Sequence, residues 1–217
     1  MIPQANRLQQ VQEYYFSRKL REVRQLAAEG HPVINMGIGS PDLSPSPEVL
    51  QTLKDAVEEM GAHQYQSYQG LPELRQTIAA FYNRKFGVTL DPDSEVLPLM
   101  GSKEGIMHIS MAFLNPGDRV LIPDPGYPTY GSVTRLVGAQ PVSYALGEAQ
   151  GWFPDLEALE ADGLEGVRLM WVSYPHMPTG ATADQDQFRK LVDFARRNDL
   201  LLVNDNPYSF VLSNRPL

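Results

Sequence analysis

The 217-residue chain contains no cysteine. Disulfides, thiolate nucleophiles and cysteine-ligated metals are therefore excluded, and no metal site is expected. Basic charge is also scarce: 18 Lys and Arg stand against 26 Asp and Glu, a net charge of -8. Binding a phosphate backbone needs a basic face, so nucleic acid is not an expected partner. No apolar segment approaches the roughly 20 residues needed to cross a bilayer, so no membrane partner is expected. The opening dozen residues lack the apolar core of a signal peptide. Internal repeats and low-complexity tracts are absent too. What is present is 42% hydrophobic and 20% charged residues, an ordinary globular composition. That length can bury a sizeable core and would form one domain, or one domain with an appendage. The expectation is a cytoplasmic enzyme or binding protein.

Leu8, Val11, Tyr15, Leu20, Val23 and Leu26 recur at intervals of three to five and predict a helix over 6–29, stopped at Gly30. A short apolar strand over 33–36 runs into Gly37-Ile38-Gly39. Two glycines so spaced let a backbone turn tightly or approach a ligand, or simply form a loop. Ser46 as N-cap and Pro47 as first helical residue predict a helix over 47–60. A polar loop with Tyr65 and Tyr68 then leads to an amphipathic helix over 71–86. From residue 96 strand and helix alternate, the signature of a wound α/β sheet. Strands are predicted at 96–100, 120–122, 141–146, 167–173 and 200–203. The helices between them run over 106–114, up to about 137, over 156–161 and over 184–198. The last strand lies close to Leu217 with no closing helix behind it. A sheet of this kind is normally covered on both faces, so the chain is expected to be truncated.

Ligands of open α/β sheets bind beyond the carboxyl ends of the strands, and four turns fall there. Leu200-Leu201-Leu202-Val203 is followed by Asp205, with Tyr208 three residues further on. Asp205 either caps a turn or holds a cationic group of a ligand. Gly101-Ser102-Lys103 offers backbone N–H groups, a hydroxyl and a cation, which suit a phosphate or a simply capped helix start. Tyr127, between Gly126 and Pro128, is a ring to stack on a planar ligand or a surface aromatic. Pro178-Thr179-Gly180 is a common type of turn. Taken together, a phosphate site, a stacking ring and a carboxylate for a protonated heteroaromatic nitrogen describe pyridoxal 5'-phosphate (PLP).

Six segments in order carry a resemblance. They are Ile38-Gly39-Ser40-Pro41-Asp42, Tyr65 with Gly70-Leu71-Pro72-Glu73-Leu74-Arg75, Gly101-Ser102-Lys103-Glu104-Gly105, Asp124-Pro125-Gly126-Tyr127-Pro128-Thr129-Tyr130, Tyr174-Pro175-His176-Met177-Pro178-Thr179-Gly180, and the stretch from Asp205 to Tyr208. In order and spacing they resemble the class I/II aminotransferases, the fold-type-I PLP enzymes. The resemblance implies an α/β fold whose large PLP-binding domain is a three-layer α/β/α arrangement around a mostly parallel sheet. That domain would occupy 45–217, incomplete at its C-terminus, after an N-terminal helix, arm and part of a small domain over 1–44.

The resemblance also implies roles. Gly101, Ser102 and Lys103 would bind the cofactor phosphate, and Tyr127 would stack on the pyridine ring. Asp205 would pair with the ring nitrogen and Tyr208 would hydrogen-bond the phenolic oxygen. Tyr127, Asp205 and Tyr208 are thus the catalytic set. Tyr65 would reach the phosphate of a neighbouring subunit, which implies a homodimer, and Gly39 would lie beside the substrate carboxylate. Met177 replaces the family's usual asparagine. A thioether is a weak acceptor and no donor, so either Tyr208 would carry the phenolic contact alone or Met177 would pack against the ring edge instead. The family's Schiff-base lysine and carboxylate-binding arginine fall beyond residue 217. None of Lys19, Lys54, Lys85, Lys103 and Lys190 matches the lysine, and Lys103 would neutralise charge at the phosphate end.

The implied activity is transfer of an amino group between an amino acid and a 2-oxo acid, with the isolated chain inactive. The Gly-Ser-Lys-Glu-Gly turn and the Asp-Asn-Pro-Tyr-Ser-Phe stretch are most similar to the group of LL-diaminopimelate and succinyl-diaminopimelate aminotransferases. A lyase on the same fold, or a non-enzymatic ligand-binding or dimerisation module, is the alternative.

Overall fold

The computed structural model describes residues 2–10, 13–37, 39 and 41–211. Val11 of the first helical pattern, Ile38 and Ser40 of the first motif, and residues 212–217 lie outside them. The chain forms two compact units, one of Gln12–Leu71 and one of Met1–Val11 with Pro72–Leu217.

The smaller unit carries α1 (Tyr15–Ala28) and α2 (Pro47–Glu58), neither with a buried residue. The start of α2 is the one the sequence predicts. Ser46 Oγ accepts the Val49 N–H at 3.4 Å and Pro47 opens the helix, satisfying one of its orphan donors. The long helix expected over 6–29 is in fact two pieces, a 3-10 turn at Asn6–Gln10 and α1. The expected strand at 33–36 has no regular structure.

The larger unit holds α3 (Pro72–Phe86), α4 (Ser102–Phe113), β1 (Arg119–Asp124), α5 (Pro128–Leu136), β2 (Gln140–Ala145), α6 (Leu156–Ala161), β3 (Val167–Val172), α7 (Gln185–Arg197) and β4 (Leu201–Asn204). The four strands form a wholly parallel sheet in the order β2-β1-β3-β4. Each strand is short and apolar, and alternate residues face opposite ways. Leu121, Met170 and Val172 therefore point to one face, where Leu191 and Phe194 of α7 cover them. Val120, Leu169 and Trp171 point to the other, beneath Ile106 of α4 and Tyr130 and Val133 of α5. This is the expected three-layer α/β/α arrangement. All six strand residues are essentially buried, and each fully buried side chain of this size contributes about 1.5–3 kcal/mol.

α7 shows why such a helix begins where it does. Asp184 accepts the Gln187 N–H while the Gln187 side chain accepts the Asp184 N–H, a reciprocal capping box. Arg196 and Arg197 then sit in the last turn, where cations favour the helix dipole.

Two predicted boundaries move. α4 begins at Ser102, four residues before the expected helix, because Gly101 (φ 104°) takes the left-handed turn that lets the helix start at once. Residues 96–100 form no strand, since no described strand pairs with them. β4 lies at the sheet edge, with Leu201, Leu202 and Val203 only half-buried and Asn204 exposed.

Candidate active site

At the carboxyl end of β4 the Asp205 N–H donates to Val172 O at 2.9 Å, extending the β3–β4 pairing by one step. This fixes the carboxylate above the sheet. Its Oδ2 accepts the phenol of Tyr130 at 2.9 Å. Its Oδ1 has no partner among the described residues. Asp205 shares a cleft of about 350 Å3 with Ser102, Gly105, Ile106 and Trp171. The structure thus brings together the predicted ring-nitrogen partner and the predicted phosphate turn, which are about a hundred residues apart in sequence.

The far wall of the cleft is built by the start of α4. The first turn of any helix leaves N–H groups without intrahelical partners, and its dipole favours an anion there. Glu104 is the one acidic residue in that turn. Its Oε2 is turned back onto the Met100 N–H at 2.6 Å. The Ser102 hydroxyl has no hydrogen-bond partner among the described residues. Gly105 lets Leu99 lie close: a Cβ there would meet Leu99 Cδ1 at 2.7 Å.

The loop after β1 carries the aromatic wall. Tyr127 caps α5, with Pro128 as its first residue. The Lys103 ammonium lies over the Tyr127 ring, 5.9 Å from its centroid, an attractive cation–π placement. Tyr127 meets Tyr130 edge-on at 5.6 Å and 81°, and Tyr130 stacks on Trp171 at 5.0 Å and 7°. Tyr130 is 1% exposed. Burial first, then the Asp205 charge and hydrogen bond, push its phenol far above the ordinary tyrosine range, against a smaller opposing effect from Ser173. It therefore remains protonated and acts as a fixed donor. Sequence reading missed Tyr130 and Trp171 as site residues. A signal for Tyr130 was available, because three residues along a helix from Tyr127 is the same face.

The remaining predicted residues are less gathered. Met177 is half-buried in the turn after β3 and Tyr208 is 42% exposed; neither lines the cleft. Beside Met177, His176 is 2% exposed, with Nδ1 2.8 Å from Thr179 Oγ1. Thr179 Oγ1 also accepts the Ala181 N–H at 3.3 Å, which ties the ring to its own turn. Burial depresses the His176 pKa, partly offset by the Pro125 carbonyl, and Nε2 makes no hydrogen bond of normal geometry among the described residues. Tyr65 and Gly39 belong to the smaller unit, where both are exposed. No lysine is among the described residues that line the cleft.

A family profile, aminotransferase class I and II, matches residues 31–216. The chain belongs to this family. The class I and II aminotransferases are PLP-dependent enzymes. Among curated relatives, an LL-diaminopimelate aminotransferase of Syntrophobacter fumaroxidans is 42% identical over 205 residues, 94% of this chain and 53% of that protein. The chain thus spans about half the length of the curated relatives it matches. Among solved structures, substrate-bound BacF from Bacillus subtilis superposes with a TM-score of 0.91 at 32% identity, over 100% of this chain and 55% of that one. The N-succinyldiaminopimelate aminotransferase of Mycobacterium tuberculosis gives 0.82 at 31% identity, over 94% and 52%. For an aminotransferase of this kind the cleft has suitable chemistry. Among the described residues an open carboxylate oxygen lies at one wall, and a helix N-terminus with an unpartnered serine hydroxyl at the other, groups that suit a cation and an anion respectively.

Proposed function

We propose that this chain holds PLP and forms the cofactor-binding part of an aminotransferase that moves an amino group between an amino acid and a 2-oxo acid. The observation that carries the reading is the pairing of Asp205, with one carboxylate oxygen open, and Ser102 at the head of α4 in one cleft. PLP supplies an electron sink for charge developing at the α-carbon of an amino acid. Asp205 holds the ring nitrogen as its cation. Gly101, Ser102 and Lys103 bind the phosphate, Tyr127 covers the ring, Tyr208 hydrogen-bonds the phenolic oxygen, and Met177 packs at the ring edge. Tyr65 serves the neighbouring subunit of a cytoplasmic homodimer, and Gly39 lies by the substrate carboxylate. The shared identity with enzymes named LL-diaminopimelate aminotransferase supports a diamino dicarboxylic acid as donor.

The test is binding of pyridoxamine 5'-phosphate, which cannot form adducts with surface lysines, followed by tryptophan fluorescence. Asp205→Asn should weaken it by about 10- to 100-fold, the weight of a hydrogen bond to a charged group. Equal affinity in the variant would remove Asp205 from the cofactor site. Because no lysine is among the described residues that line the cleft, the 217-residue chain alone should show no transamination with added PLP, and measurable turnover would contradict that.

A further inference from the structure

The Asp205 carboxylate has two oxygens that are chemically equal until the fold distinguishes them. Oδ2 accepts the Tyr130 phenol at 2.9 Å and Oδ1 has no partner among the described residues. The donor is held on two sides. Its ring stacks on Trp171 at 7°, and Tyr127 packs edge-on against it. The Tyr130 ring is 1% exposed and Trp171 is 1% exposed, so neither can rotate without opening the core. Trp171 is also a wall of the cleft that Asp205 and Ser102 share.

We propose that Tyr130 is a positioning residue that acts through Asp205: by occupying Oδ2 it turns Oδ1 toward the ring nitrogen of the bound cofactor and keeps it there. The inference rests on the reading of Asp205 as the ring-nitrogen partner. A free carboxylate at a strand end rotates about its terminal torsion, which is broad. A phenol donor fixed by two aromatic neighbours removes that freedom before the ligand arrives, and the ordering cost is met during folding. Tyr127 gains from the same arrangement, because the ring proposed to cover the cofactor is braced by the ring that orients its anchor.

Tyr130→Phe removes one oxygen and leaves the stack intact. The readouts are the dissociation constant of pyridoxamine 5'-phosphate and the pH at which the bound ring nitrogen loses its proton, followed by the ligand's ultraviolet absorbance. The expected result is about tenfold weaker binding, one charge-assisted hydrogen bond's worth of preorganisation, with ring deprotonation shifted toward the pH of the free ligand. In an Asp205→Ala background, which has no acceptor for the phenol, the same substitution should change neither readout, a coupling that loss of packing alone would not produce. Tyr130→His retains an aromatic N–H donor and should lie between Tyr and Phe; it also carries the test should Tyr130→Phe not fold. Wild-type behaviour in Tyr130→Phe, with Asp205→Asn impaired, overturns the positioning role alone. Wild-type behaviour in Asp205→Asn, or no binding by the wild-type chain, removes the underlying reading of Asp205 and the role of Tyr130 with it.

Discussion

Replacing Gly126 with alanine should damage the loop that presents Tyr127. Gly126 needs no left-handed backbone; its constraint is purely steric. A Cβ at this position would run into the Pro123 carbonyl oxygen and would lie 2.7 Å from Pro123 Cγ and 3.1 Å from the Pro123 carbonyl carbon. Carbon atoms in good contact sit at about 3.5–4.0 Å, so close to an ångström must be found. Two of the three obstacles are backbone atoms of the buried Pro123 in β1, which pairs with Tyr144 of β2 and cannot simply swing aside. Overpacking of this kind costs about 1–3 kcal/mol. For a chain of this size each kcal/mol lowers the melting temperature by about 2–4 °C, so a fall of about 2–12 °C is expected. Thermal unfolding followed by far-UV circular dichroism measures it. Gly39→Ala is the comparison, because no atom of the described residues lies within 4 Å of a Cβ there, and it should change stability by no more than about 0.5 kcal/mol. If Gly126→Ala melts within a degree of wild type, the steric account of this loop is wrong.

Leu169 of β3 is 0% exposed within the core beneath α4 and α5, so Leu169→Ala should cost about 2–5 kcal/mol in urea unfolding. A cost under about 1 kcal/mol would mean that this face of the sheet is not packed as described. His176 gives a pH signature. Its pKa is depressed from the ordinary value of 6.5, first by burial, so the unfolded chain binds the proton more readily. Its contribution to stability is then fully present above about 6.5 and is lost as pH falls from there through the depressed folded value. His176→Asn should flatten that decline between about pH 7 and 5, and an unchanged slope would exclude His176 as its source.

The sheet was legible because its strands are short apolar runs separated by helical periods, as in Val167–Val172 followed by Gln185–Arg197. The predicted strand at 96–100 shows the limit of such reading. An apolar run specifies a strand only if a neighbour hydrogen-bonds to it, and pairing is not written in the run itself. Ser102 and Asp205 stood out by position, one in the turn into a helix and one just past a strand, but position left a capping role open for each. Tyr130 was not, because its importance lies in what it touches. No local pattern states that a phenol on α5 reaches a carboxylate 75 residues away across Trp171. His176 was hidden for a similar reason, its burial arising from the packing of two loops.

The Tyr130–Asp205 hydrogen bond has a consequence for the order in which the chain becomes competent. It joins the first turn of α5, the helix that follows β1, to the residue just past β4, although β3 lies between those two strands in the sheet. Its two ends are 75 residues apart, so it is a high-contact-order interaction that forms only after the segments between have collapsed. During synthesis the phosphate turn and the aromatic wall emerge well before residue 205, and three strands can assemble with no anchor for a ligand. A ligand that needs both walls therefore selects the chain with β4 seated and stabilises that state by mass action. Loading of such a ligand then becomes the step that rewards completion of β4, an edge strand of the described sheet.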